Sequence, residues 1–289
     1  MIMQPSKSRL KLRQFLDKPD VVYPGSVFDP ISARIVVHLG FEVGIMGGSL
    51  VSASILAAPD LVLLTLSELA DHVKRIMRAV DISLIVDADH GYGNALNVMR
   101  TVQELEMAGA AAMTIEDTLL PKAFEQRSDQ LLISKEEMIN KLRAATEARR
   151  DPNTVIIGRT SALQNLCLDE AMDRIEAYSK TGVDAMMVMG CKTFDELSEV
   201  HSLTSLPLIL GYVPKEMQDR RKLAESGVRV ALRGHYSFYV AMQALYDSMK
   251  FIYEGGDPLE LEPKMANPEV IRAALRTDEY QKWQEDYLK

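Results

Sequence analysis

These 289 residues predict an α/β chain folded as a (β/α)8 TIM barrel, with an extra helical segment at its C-terminal end. Two observations carry the prediction. A short apolar run, a polar or glycine-rich corner and a helical stretch follow one another eight times. Such alternation with short connections makes a parallel sheet with right-handed crossovers. In addition, no break in composition and no linker divides the eight units, so they close into one ring rather than an open doubly wound sheet. The lone Gly91-x-Gly93 lacks the third glycine of a dinucleotide fingerprint, and there is no phosphate-loop pattern. The chain 1–289 therefore reads as a single domain, with residues 259–289 as a helical extension.

Residues 7–17 set Leu10, Leu12, Phe15 and Leu16 among basic residues, as in a short amphipathic helix. The apolar runs that read as strands lie at 21–28, 43–46, 84–86, 111–115, 154–157, 185–189, 206–210 and 229–232. Helical spacing follows between them. Segment 66–80 places Leu69, Val73, Ile76 and Val80 on one face, and segment 95–108 carries Leu96, Val98, Met99, Val102, Leu105 and Met107. Segments 135–148, 169–180, 193–200, 215–226 and 236–253 complete the series. The methionine-rich run Met186–Met189 reads as core. Beyond Gly255-Gly256-Asp257-Pro258, helical spacing resumes at Val270, Ile271, Leu275, Tyr280, Trp283 and Tyr287. The barrel is complete without this tail, and a neighbouring subunit offers it a surface.

Composition narrows the function classes. Hydrophobic residues make up 47% and charged residues 26%, as in ordinary soluble globular proteins. The net charge of −8 argues against a nucleic-acid partner. An acidic substrate then needs a local positive feature, a metal or an arginine. The two cysteines, Cys167 and Cys191, form neither a disulfide framework nor a zinc site, and read as inert packing residues in a reducing cytoplasm. The first residues lack the apolar stretch of a secretory signal, and no run of about 18 apolar residues exists to span a membrane.

Chemistry in such a barrel collects at the C-terminal ends of the strands. The densest end is the third, where Leu84-Ile85-Val86 gives way to Asp87-Ala88-Asp89-His90-Gly91. Two carboxylates against a buried strand are costly to desolvate without a positive partner. A hard divalent cation such as Mg2+ is the simplest partner, because it prefers carboxylate and water oxygens. Other ends add Gly47-Gly48-Ser49, Glu116-Asp117, Arg159-Thr160-Ser161, Gly211-Tyr212 and Arg233-Gly234-His235. Adjacent amides with a hydroxyl at Gly47, Gly48 and Ser49 suit a carboxylate oxygen. Each group also has a plainer reading. Asp87 and Asp89 serve as helix caps or ion-pair partners elsewhere, Arg159 as a structural ion pair, His235 as a cap, Tyr212 as packing and Ser49 as a turn residue.

These residues resemble the isocitrate lyase/phosphoenolpyruvate mutase superfamily. The matching segments are Ser26–Arg34, Gly47-Gly48-Ser49, Ala58-Pro59-Asp60, Asp87–Asn94, Thr114–Asp117 and Gly158-Arg159-Thr160, in the family's order. Val27–Pro30, Asp117–Pro121 and the pair Tyr212 and His235 resemble the oxaloacetate decarboxylase branch. The resemblance implies that Asp87 binds Mg2+, or Mn2+ in its place, directly, with Asp60, Asp89 and Glu116 holding it through waters. It implies that Ser49 and the Gly47 and Gly48 amides take a substrate carboxylate, that Arg159 binds substrate, and that His235 and Tyr212 line the opposite side. The lyase branches carry a Lys-Lys-Cys-Gly-His loop after the fourth strand, whereas this chain has Leu120–Arg127 with no cysteine. The expected activity is metal-dependent decarboxylation of oxaloacetate to pyruvate and CO2. The alternatives are carbon–carbon cleavage of another 2-hydroxy or 2-keto acid, or a non-catalytic ligand-binding barrel. The implied assembly is a homotetramer, a dimer of dimers that swap C-terminal helices.

Overall fold

Each of the eight apolar runs supplies a strand in the computed structural model, which describes residues 7–122 and 131–289. The strands are β1 (Gly25–Ser26), β2 (Val43–Met46), β3 (Ser83–Asp87), β4 (Ala112–Glu116), β5 (Val155–Thr160), β6 (Ala185–Val188), β7 (Leu208–Leu210) and β8 (Val228–Ala231). They pair in parallel, each with the next in sequence. The ring closes where Val22 meets Val230. The Val22 amide donates to the Arg229 carbonyl at 2.8 Å, and the Ala231 amide to the Val22 carbonyl at 3.0 Å. The first run is the least regular, because only Gly25–Ser26 forms ladder with β2 while Val22 faces β8.

The helices are α1 (Lys7–Leu16), α2 (Pro30–His38), α3 (Gly48–Leu56), α4 (Leu66–Ala79), α5 (Ala95–Ala108), α6 (Lys135–Ala148), α7 (Ala162–Asn165), α8 (Leu168–Ser179), α9 (Phe194–Leu203), α10 (Arg220–Glu225), α11 (Tyr236–Tyr253), α12 (Pro268–Leu275) and α13 (Thr277–Tyr287). Three of them, α2, α3 and the one-turn α7, lie outside the helical series that spacing picks out. The corner at Gly47-Gly48-Ser49 turns out to be the start of α3. The segment 215–226 divides into a 3-10 turn, Lys215–Met217, and α10.

Strand alternation separates two cores. Leu84 and Val86 of β3 point outward and pack with Val73, Ile76, Val98 and Leu105 of α4 and α5. Ile85 points inward, where Ile45, Ile157, Ile209 and Val230 join it in the barrel interior. Burying one such side chain contributes roughly 1.5–3 kcal/mol. The same alternation sets the site. Two residues beyond Ile85 comes Asp87, two beyond Ile157 comes Arg159, two beyond Ile45 comes Gly47, and four beyond Ala112 comes Glu116. The inward face of each strand is thus apolar at its start and polar at its end.

Helix α1 plugs the opposite mouth. Leu12, Phe15 and Leu16 enter the inner core, while Arg9, buried, donates from Nη1 to Asp151 at 2.9 Å and from Nε to the Ala110 carbonyl at 3.0 Å. Arg13 reaches Asp184 at 2.9 Å. At the other end of the chain, α12 packs back on α2 of the same chain and buries Ala274, so the tail is not wholly left for a neighbour. Cys191 is buried, but Cys167 is exposed at the start of α8 and does not pack inside. Among the described residues, no helix is long and apolar enough to cross a membrane.

The plug gives a stability prediction. Breaking a buried ion pair by removing one partner costs about 3–5 kcal/mol, because the other charge stays buried. Arg9→Ala is expected to lower the urea unfolding free energy by that amount, and a loss under 1 kcal/mol would show that α1 is not held this way.

Candidate active site

Asp87 ends β3 with its carboxylate facing the barrel mouth. It accepts from Thr114 Oγ1 at 2.9 Å, from Arg159 Nη1 at 2.7 Å, and from the Gly48 and Asp89 amides at 3.3 Å each. Arg159, ending β5, lies between Asp87 and Glu116 of β4. Its Nε is 3.0 Å from Glu116 Oε2, close but not aligned as a hydrogen bond. The turn after β3 runs through left-handed backbone at Asp89 and Gly91, with φ of 48° and 78°. A Cβ at Gly91 would also lie 2.4 Å from Val98, so only glycine fits. This turn brings Asp89 back over the mouth, where its Oδ1 would be 2.9 Å from a Cβ on Gly48. The bare Gly48 therefore lets the first turn of α3 approach both Asp87 and Asp89. Ser49, half-buried, is the next residue of that turn.

Electrostatics show what this mouth lacks. Burial pushes the Asp89 carboxyl well up, helped by the charges of Asp87, Glu116 and Asp60. Burial, and then Asp87, also raise Asp60. Burial raises Glu116 to about 7, although Arg159 pulls it down. Asp87 alone ends below the ordinary range: burial opposes its charge, but Arg159, Thr114 and the Gly48 amide together outweigh that. Four carboxylates thus share one guanidinium, and three of them resist ionising. The donor set is all oxygen, as a hard divalent cation requires. Among the described residues, no three His, Cys, Asp or Glu side chains form a complete chelate. An ion such as Mg2+ retains several waters and takes few protein ligands.

The remaining expected residues divide. His235 comes to the mouth, with Nδ1 2.7 Å from Ser26 Oγ and Nε2 beside Gly47. Burial lowers its pKa, with Asp87 pulling the other way. Tyr212 does not join them. It is 60% exposed and lines a separate cavity of about 290 Å³ with Tyr23, Gln218, Arg233 and Tyr236. Residues 123–130, including Glu125 and most of the loop after β4, lie outside the described residues.

Two supporting groups escape the sequence reading. Thr114 holds Asp87 from the neighbouring strand. Asp117, fully buried, is structural: Thr160 Oγ1 donates to it at 2.7 Å, Tyr178 OH at 3.2 Å and the Ser161 amide at 3.2 Å. It ties the ends of β4 and β5, which carry Glu116 and Arg159, to α8. The only available signal was the outward parity of Asp117 next to the inward Glu116.

A parallel barrel whose C-terminal mouth holds a buried acid cluster around one arginine defines an enzyme site. The phosphoenolpyruvate phosphomutase family model matches residues 12–253, and the chain belongs to that family. It is 48% identical over 271 residues to an oxaloacetate decarboxylase of Bradyrhizobium diazoefficiens, covering 94% of this chain and 93% of that one. It is 42% identical over 288 residues to an oxaloacetate decarboxylase of Paraburkholderia xenovorans, covering 100% and 96%. Among solved structures it resembles a phosphonopyruvate hydrolase in complex with oxalate and Mg++, with a TM-score of 0.84, 30% identity, and 98% and 99% coverage.

The raised carboxyls make a pH prediction. Glu116 moves from an ordinary 4.5 to about 7 on folding. A raised folded-state pKa favours the folded state while the group is protonated, and that stability is lost as pH rises through the folded value. Asp60 and Asp89 act with the same sign, and the opposite contribution of Asp87 falls below this window. Chelator-treated protein is therefore expected to melt at lower temperature at pH 8 than at pH 5.5, and Mg2+ to raise the melting temperature more at pH 8. A flat profile with no metal response would contradict the electrostatic reading.

Proposed function

We propose that this chain is a carboxy-lyase that converts oxaloacetate to pyruvate and CO2. The observation that carries the reading is the acid set Asp60, Asp87, Asp89 and Glu116 around Arg159, at a mouth where the described residues offer no cysteine acid and no activated nucleophile. The decarboxylase names of relatives above 40% identity support it. The residues fit a Mg2+ ion, or Mn2+, held by Asp87 with Asp60, Asp89 and Glu116 around it; when bound, it supplies Lewis-acid stabilisation of negative charge developing on the 2-keto oxygen.

The chain's own groups do the rest. The Ser49 amide and hydroxyl and the Gly47 corner seat the C1 carboxylate at the N-terminus of α3. Arg159, buried and fixed by Asp87, places a permanent positive charge beside the same oxygens, and its Nη2 donates to no described residue. The C3–C4 bond breaks, CO2 leaves, and its electron pair forms the enolate of pyruvate. Neutral His235, at the Gly47 end of the mouth, adds no full charge that would oppose loss of the C4 carboxylate. Proton delivery to C3 falls to His235 or to a water beside it, since Tyr212 faces a separate cavity.

We also place the chain in the cytoplasm as a homotetramer of helix-swapped pairs. Helix α11 has no buried residue and exposes Tyr239, Met242, Leu245, Tyr246 and Met249.

The test is pyruvate and CO2 release from oxaloacetate, with Mg2+ and with chelator, above the rate of metal in buffer. Turnover lost with chelator and in Asp87→Ala, but retained in Cys167→Ala, is expected. No excess turnover, with glyoxylate or succinate formed from branched 2-hydroxy acids instead, would move the chain to carbon–carbon cleavage. Tight oxalate binding without turnover would make it a binding barrel.

A further inference from the structure

His235 precedes α11 yet does not cap it, since its side chain makes no hydrogen bond to the helix amides. The ring instead crosses the seam between β8 and β1 and meets Ser26 Oγ at 2.7 Å through Nδ1. Both partners are firmly placed. Ser26 lies in β1, whose ladder pairs it with Ile45, and the Val27 amide donates to the Ile45 carbonyl at 2.9 Å. The His235 carbonyl accepts from the Phe238 amide at 3.1 Å, and the Phe238 ring packs edge-on against Phe28 at 5.0 Å between centroids. With Nδ1 turned to Ser26, Nε2 is aimed at Gly47, 2.6 Å from where a Cβ on that residue would stand. Glycine at 47 leaves the room that the ring edge occupies.

A neutral imidazole carries one proton, and the partner of one nitrogen decides which nitrogen holds it. A serine hydroxyl can donate or accept, so the pair alone allows both tautomers. The surroundings choose. Nε2 stands over the Gly47 corner that seats a substrate carboxylate, beside Gly48 whose amide meets the charged Asp87, and a bare lone pair aimed at negative charge is repelled. A proton on Nε2 is attracted by the same field. Nδ1 is then the acceptor, and the Ser26 hydroxyl must donate.

We propose that Ser26 is a positioning residue: its hydroxyl donates to His235 Nδ1 and holds the ring as the tautomer whose Nε2–H points into the substrate cradle at Gly47. This deepens the decarboxylase reading and rests on it for the identity of the substrate. The burial that lowers the His235 pKa keeps the ring neutral, which the tautomer requires. Ser26 touches no substrate in this scheme; it acts through His235. The contact it secures is a hydrogen bond from a neutral donor to the substrate carboxylate seated at Gly47, which binds substrate without adding a charge that would hold back the departing C4 carboxylate.

The test uses the full-length protein labelled with 15N at its five histidines. Magic-angle-spinning spectra separate protonated from unprotonated ring nitrogens, and His235→Gln assigns the signal. In wild type, His235 is expected to show Nε2 protonated and Nδ1 bare. Ser26→Ala is expected to give a mixture of tautomers and to raise KM for oxaloacetate about fivefold, the size of one ordinary hydrogen bond, with kcat within about twofold. Ser26→Thr, which keeps the hydroxyl, is expected to restore both. The double variant with His235→Gln is expected to match His235→Gln alone, because the serine has nothing left to position. A protonated Nδ1 in wild type would overturn the proposal, as would Ser26→Ala with unchanged ring signals. Absence of oxaloacetate turnover in wild type would instead overturn the proposed function, while the ring spectra would still decide the role of Ser26.

Discussion

Everything at the mouth of this barrel depends on the contact between Arg159 and Asp87. The pair is 2.7 Å apart, and each side chain is less than one-fifth exposed. Asp87 is held in the charged state by this guanidinium and by Thr114, against the burial that opposes it. Burial would favour losing the proton from Arg159, but Asp87 and Glu116 hold its charge more firmly than usual. One side chain thus meets two acids directly, while among the described residues Asp60 and Asp89 feel it only at longer range. The imbalance is what makes the mouth a receptor for positive charge, and the placement of that charge beside the α3 N-terminus makes it a receptor for an anionic ligand as well.

The barrel supplies the rigidity that such a site needs. Charged groups in a low-dielectric mouth are useful only if they cannot relax away from one another. Strand register does this locally, because Glu116 and Arg159 are paired across β4 and β5, and Asp87 and Thr114 across β3 and β4. Asp117 then fixes β4 and β5 to α8 from behind. At the far mouth, α1 closes the ring with a buried arginine and three large apolar side chains. The structure is therefore apolar and tightly tied at one end, and polar with one open mouth at the other.

Much of this was legible in the sequence, for a physical reason. Strands buried on both faces must be apolar throughout, so eight such runs stand out, and an abrupt change to Asp87, Glu116 or Arg159 marks where each face reaches the mouth. Inward parity, counted from Ile85 or Ile157, would have placed these residues without a structure. What was not legible depends on contacts distant in sequence. Helix α3 starts at Gly47 and Gly48, with no side-chain cap to announce it, because the glycines serve the approach of Asp89 and His235 instead. Helix α2 did carry a signal, a capping box of Asp29 and Ser32 with Pro30 at its start. Tyr212 follows β7 as the pattern suggests, yet its side chain turns outward, and nothing in the order Gly211-Tyr212-Val213 reveals the direction. The tail reads as seeking a neighbour because the barrel needs no further helix; α12 rests on α2 of its own chain, while α13 buries no residue.

The central claim is that four carboxylates around one arginine form a site for a divalent cation. The most direct measurement is Mn2+ binding to chelator-treated protein, followed by electron paramagnetic resonance. One tightly bound ion per chain, with water among its ligands, is expected, and its loss in Asp87→Asn. No stoichiometric binding, or binding that survives Asp87→Asn unchanged, would contradict it.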